Sequence, residues 1–127
     1  MTEEPDCREE RVELTRRMCD CMEKIKEIEN LWKILKSMPY PKGYIGYLID
    51  NIDLTLLDTV TAGCITTFLS REGRLDIWCT AILGLCYGEL TVVTNKLDGI
   101  ALDYFQRFEI IARLVLETVR DTNKDLK

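Results

Sequence analysis

The run Ile77-Trp78-Cys79-Thr80-Ala81-Ile82-Leu83-Gly84-Leu85-Cys86-Tyr87-Gly88 constrains the fold more than any other part of the chain. It is apolar nearly all round and is bracketed by Asp76 and Glu89. A helix with no polar face belongs in the middle of a protein or in a membrane. The run holds about a dozen residues, short of the roughly 20 that cross a bilayer. The expectation is therefore a buried central helix wrapped by amphipathic ones. Gly84 and Gly88 lie one turn apart, so either another helix approaches closely there or each glycine only relieves crowding.

The flanking segments supply amphipathic helices. From Arg8 to Met38 there is neither Gly nor Pro, and Met18, Cys21, Ile25, Ile28, Trp32 and Leu35 recur at spacings of three and four. This pattern fits one long helix with a coiled-coil seam or two helices with a bend. Cys and Trp are unusual seam residues, which favours the bend. Pro39, Pro41 and Gly43 stop the segment. Tyr44 to Ile52 is expected to form a short helix. Thr55 is expected to cap the next one, with Asp58 completing a weak capping box. Leu56, Leu57, Val60, Cys64, Ile65, Phe68 and Leu69 follow at helical spacing, and Gly73 supplies a left-handed stop. Asp76 caps the apolar helix, and Asp98 is placed to cap the last. Ala101, Tyr104, Phe105, Phe108, Ile111, Ala112, Val115 and Val119 form the buried stripe of that last helix. The 127 residues make one all-α domain, a compact helical bundle, with 1–7 and 121–127 expected to be loose.

The side-chain inventory argues against chemistry. The chain has no His, which removes the commonest general base and zinc ligand. There is no Gly-rich phosphate loop, HExxH or GxSxG motif. Glu3-Glu4 and Glu9-Glu10 lie in charged segments with no apolar walls to raise a pKa. The six Cys are read as reduced thiols in a cytoplasmic protein. No signal segment precedes them, and Cys64, Cys79 and Cys86 sit in apolar helical patterns. Cys19 and Cys21 point to different sides of a helix, so no metal site is expected. The net charge of −5 disfavours nucleic acid. The reading is a binding protein, not an enzyme, with no cofactor, metal or integral membrane segment. A structural or assembly protein that homodimerises through the apolar stripe of residues 18–35 is the alternative.

About half the chain, from Leu57 to Asp121, resembles the central part of the Bcl-2 family of apoptosis regulators. Phe68-Leu69-Ser70-Arg71-Glu72-Gly73 is similar to the family's helix that ends on an acidic residue and Gly. Trp78 matches the Trp that opens the family's central helix, and Tyr87-Gly88 matches the aromatic-Gly pair nine residues later. Leu97-Asp98-Gly99-Ile100-Ala101-Leu102-Asp103-Tyr104-Phe105 resembles the start of the following helix. The departures are specific. Ile77-Trp78-Cys79-Thr80 stands where the family has Asn-Trp-Gly-Arg, so the Arg that pairs with the ligand's Asp is missing or replaced. One extra residue separates Gly73 from Trp78. The C-terminal homology motif and membrane anchor are not seen. The short chain is most similar to small viral members, such as those of iridoviruses.

The resemblance implies a hydrophobic groove that sequesters the amphipathic death-motif helix of pro-apoptotic proteins such as Bim. That would block apoptosis of the host cell from its cytoplasm or from mitochondria reached through partners. The implied groove residues are Tyr44, Tyr47, Leu48, Leu57, Val60, Cys64, Glu72, Gly73, Trp78 and Thr80. Arg71 or Arg74 would replace the missing Arg, and Trp78 would support the groove more than touch ligand.

Overall fold

The computed structural model describes residues 7–125, with side chains described for 19–122. Four helices and a minimal hairpin follow one another: α1 (Cys7–Lys36), β1 (Leu48–Ile49), β2 (Ile52–Asp53), α2 (Leu54–Ser70), α3 (Ile77–Thr94) and α4 (Gly99–Asp125). The all-α class and the packed helical bundle are as the sequence implies.

The first segment is one continuous helix, not two. With no Gly or Pro to interrupt it, α1 runs uninterrupted for 30 residues, about 45 Å at the α-helical rise. Ile28, Trp32 and Leu35 are buried, and α1 lies along α4. The Ile28–Trp32–Leu35 part of the stripe faces the core, as the second reading expected, although the segment is one helix and not two. The helix tightens at its end, where Ser37 N–H donates to the Lys33 and Ile34 carbonyls, and stops before Pro39.

The expected short helix over Tyr44 to Ile52 is absent. Gly43 and Gly46 take positive φ (88° and 68°), which interrupts a helical run. Asp50 (φ 49°) and Asn51 (φ 65°) form the tight turn that pairs Leu48 with Asp53 and Ile49 with Ile52. Asp and Asn tolerate the left-handed region better than most residues, which suits this hairpin turn. The cap of α2 is Asp53, not Thr55: its Oδ1 accepts from Thr55 N (2.9 Å) and Leu56 N (3.2 Å). The Thr55 hydroxyl is occupied by the Gly46 amide at 2.8 Å.

The C-terminal end of α2 matches its sequence. Glu72 (φ 55°) and Gly73 (φ 90°) reverse the chain, and Gly73 N–H donates to Phe68 O at 2.9 Å. A Cβ on Gly73 would meet Ile25 Cδ1 at 2.5 Å, so this corner is pressed against α1. Asp76 caps α3 as expected, accepting from Cys79 N at 2.7 Å. Before α4, the Asp98 carbonyl accepts from Leu102 N.

The central helix is α4. All eight residues of its expected stripe are buried, from Ala101 to Val119, and it packs against α1, α2 and α3. It also continues past Asp121, where looseness was expected. Lys24 Nζ pairs with Asp121 at 3.1 Å, and Cys21 Sγ lies 3.7 Å from Thr122 Oγ1. Residues 1–6, 126 and 127, the rest of the expected loose ends, lie outside the described residues.

The expected role of α3 is therefore corrected. Its inner face, Leu83, Cys86, Leu90 and Val93, is buried. Its outer face is not: Ile77, Trp78 and Leu85 are 83%, 77% and 72% exposed. Since α1 lies along α4, no helix is left in the described chain to cover α3. No neighbour lies within contact of a Cβ built on Gly84 or Gly88, so no helix among the described residues approaches there. The helix also continues past Glu89, reaching 18 residues at a mean hydropathy of 1.5. By length and composition the whole helix is long and apolar enough to cross a bilayer, so length alone does not exclude a span.

Two measurements check this architecture. Leu83→Ala, at a fully buried site, is expected to lower unfolding stability by about 2–5 kcal/mol. Leu85→Ala, two residues on, should change it by no more than about 0.5 kcal/mol in the same urea titration. The second concerns α2 and α4, joined where Tyr104 Oη donates to Asp58 Oδ2 at 2.5 Å. Burial lifts the Asp58 carboxyl above its usual 3.8, and the Tyr104 hydrogen bond offsets only part of this. Folding therefore favours the protonated form. That stabilisation is complete below pH 3.8 and declines as pH rises through the raised value. Asp58→Asn, which still accepts from Tyr104, should gain stability relative to the parent between about pH 4 and about pH 7.

Candidate protein-binding cleft

The open side of α3 meets the open side of α2 in a cleft of about 260 Å³. Helical spacing creates it. On α2, Leu56, Leu57 and Val60 share a face; on α3, Ile82, Leu85, Cys86 and Glu89 recur at spacings of three and four. The hairpin closes one end with Asn51, Ile52 and Asp53. The helices run antiparallel: Leu57 shares the cleft with Cys86, and Cys64, two turns on, points its Sγ at the Cys79 carbonyl (3.8 Å).

The cleft is apolar in its floor and acidic at its rim. Burial pushes the Cys64 thiol up to about 11, with Cys86 and Cys79 adding to the rise. Burial also raises the Cys86 thiol, a Thr61 interaction opposes this, and the charge of Glu89 adds to it. Both groups are neutral thiols near pH 7 and act as apolar packing atoms, not nucleophiles. Of the two rim carboxylates, Asp53 is engaged as the cap of α2. Glu89 makes no ion pair among the described residues.

The residues implied by the family resemblance fall into three groups. Leu57 (buried) and Val60 (half-buried) lie in the cleft, with Cys64 buried further along the same α2–α3 seam. Arg71, Glu72, Gly73, Arg74, Trp78 and Thr80 sit at the turn joining α2 to α3. There Arg71 pairs with Asp76 at 3.7 Å, and the Thr80 hydroxyl donates to the Asp76 carbonyl at 2.7 Å. Glu72 and Arg74 are exposed, and Gly73 is buried against Ile25. Trp78 stands out from α3 into solvent, which corrects its expected supporting role. Tyr44, Tyr47 and Leu48 lie apart in the loop and β1, with the two Tyr rings 5.1 Å apart.

The cleft residues that sequence reasoning missed are Asn51, Ile52, Asp53, Leu56, Ile82, Leu85, Cys86 and Glu89. Their signal existed: Trp78, Ile82, Leu85, Glu89 and Val92 repeat at helical spacing. It was hidden because the opposite face of α3 is equally apolar.

Two other hollows lie elsewhere on the molecule. One of about 730 Å³ lies between Pro39–Tyr44 and Asp98–Ala101. Its walls are the loop from Pro39 to Tyr44 and the first turn of α4, and Tyr40 Oη donates to the Tyr44 carbonyl at 2.8 Å. The other, between α1 and α4, holds the Arg107–Asp103 pair (3.3 Å) among its lining residues. Among the described residues no group of three or more His, Cys, Asp or Glu side chains converges on a metal position. No protein-family model, curated protein or solved structure matches the chain.

Proposed function

We propose that this chain is a protein-binding module whose α2–α3 cleft receives the apolar face of an amphipathic helix. Following the resemblance to the Bcl-2 family, that helix is the death motif of a pro-apoptotic protein such as Bim. Its capture in the host cytoplasm would block apoptosis. The observation that carries the reading is the uncovered apolar face of α3, continuous with the cleft through Ile82 and Leu85. Isolated exposed apolar side chains are ordinary, but a row of them beside a cleft marks an interaction surface.

Helix-in-groove recognition accounts for the rest. A ligand with apolar residues at i, i+3 or i+4, and i+7 presents one stripe to Leu56, Val60, Ile82 and Leu85. Each anchor fully removed from water contributes roughly 1.5–3 kcal/mol, against which the ligand's ordering cost must be set. Three or four anchors are enough for affinity in the micromolar range or tighter. The basic turn at Arg71 and Arg74 is the counterpart of the family's ligand-pairing Arg. Arg71 is tied to Asp76, which leaves Arg74 as the more available partner for a ligand carboxylate.

The assembly reading is less favoured. Dimerisation through residues 18–35 needs their stripe exposed, and Ile28, Trp32 and Leu35 are buried within the chain.

The test is a fluorescence-polarisation titration of the purified chain with a labelled Bim death-motif peptide. Saturable binding is expected, weakened at least about tenfold, or about 1.4 kcal/mol, by Leu85→Glu. Leu85 is mostly exposed, so this variant is expected to fold. No binding at about 100 µM, which would mean an affinity weaker than about −5.5 kcal/mol, would overturn the reading. So would full affinity in the folded Leu85→Glu protein.

A further inference from the structure

Glu89 is the carboxylate on the α3 side of the cleft. It lines the cleft beside Leu85, and its charge is felt by the Cys86 thiol in the floor. The other rim carboxylate, Asp53, holds the α2 amides, and nearby Asp50 is paired with Lys96. Among the described residues Glu89 has no such ion pair, and no Lys or Arg is among the residues that line the cleft. An apolar ligand stripe laid over Leu56, Val60 and Leu85 brings its flanking residues against this carboxylate. A partner acid there would meet repulsion in a partly dewatered site, whereas a partner Lys or Arg would make a charge-assisted hydrogen bond.

We infer that the partner of this cleft is an amphipathic helix bearing a basic residue beside its apolar stripe, and that Glu89 selects for it. This rests on the helix-binding reading above and adds a charge requirement to it. Glu89 is a specificity residue, not an anchor. Its effect is discrimination among helices that share the same apolar face.

The experiment uses the full chain and three synthetic amphipathic peptides. They have identical apolar residues and differ only in carrying Lys, Gln or Glu at the position flanking the stripe opposite Glu89. The parent should bind the Lys peptide about fivefold tighter than the Glu peptide at low salt, with a smaller ratio at about 0.5 M salt. The preference should vanish in Glu89→Gln and reverse in Glu89→Lys. Glu89 is exposed, so neither change disturbs the core. Equal binding of the three peptides by the parent, or an unchanged order in Glu89→Lys, would overturn the charge requirement while leaving the helix-binding reading intact. Failure of all three peptides to bind any folded form would overturn both.

Discussion

The buried face of α4 is the surface on which the rest of the molecule is assembled. Tyr104, Phe105 and Phe108 form an aromatic ridge along it, with ring centroids 5.2 to 6.4 Å apart. Trp32 of α1 meets that ridge edge-on at 5.9 Å, and Tyr40 of the following loop reaches it at 5.7 Å. Such rings bury large areas and prefer these tilted contacts. Because α4 is amphipathic and central, α1 is drawn to it and does not reach over α3. An apolar helix is thereby left at the side of the bundle with one face bare.

That arrangement links packing to function. Leu83, Cys86, Leu90 and Val93 fasten α3 to the core, while Trp78, Ile82 and Leu85 remain outside. The same helix is a structural wall on one side and, in the proposed function, a binding surface on the other. The α2 caps and the Glu72–Gly73 reversal fix its neighbour, so the cleft is set by ordinary helix-ending rules. Charge differs along the α2–α3 pair: Arg71 and Arg74 lie at the turn beyond the cleft, and Glu89 lines the cleft toward the hairpin end.

Much of this was legible in the residues. The buried stripe of α4 can be read from its three-and-four spacing, and Gly73 and Asp76 mark the turn between α2 and α3. Three parts could not be read. The segment 44–52 carries apolar residues at helical spacing, but Gly43, Gly46 and the Asp50–Asn51 turn prevail over that pattern. In α1 the periodicity was clear while its partner was not, since a stripe does not state which helix it meets. All-round apolarity in α3 implied burial on every side, whereas a face uncovered in the isolated chain carries the same composition as a buried one. The cleft was legible only in part for that reason: Leu57 and Val60 were found through family resemblance, and Ile82, Leu85 and Glu89 required knowing which way α3 faces.

The state of Trp78 tests the account most directly. The chain has two Trp residues, of which Trp32 is buried and Trp78 is 77% exposed. Acrylamide quenching of a Trp32→Phe protein, kept dilute enough to be monomeric, reads Trp78 alone. An open outer face predicts quenching near that of a free indole, and protection when an amphipathic peptide binds. A Trp78 shielded in the folded monomer would contradict the account, because α3 would then be covered by its own chain.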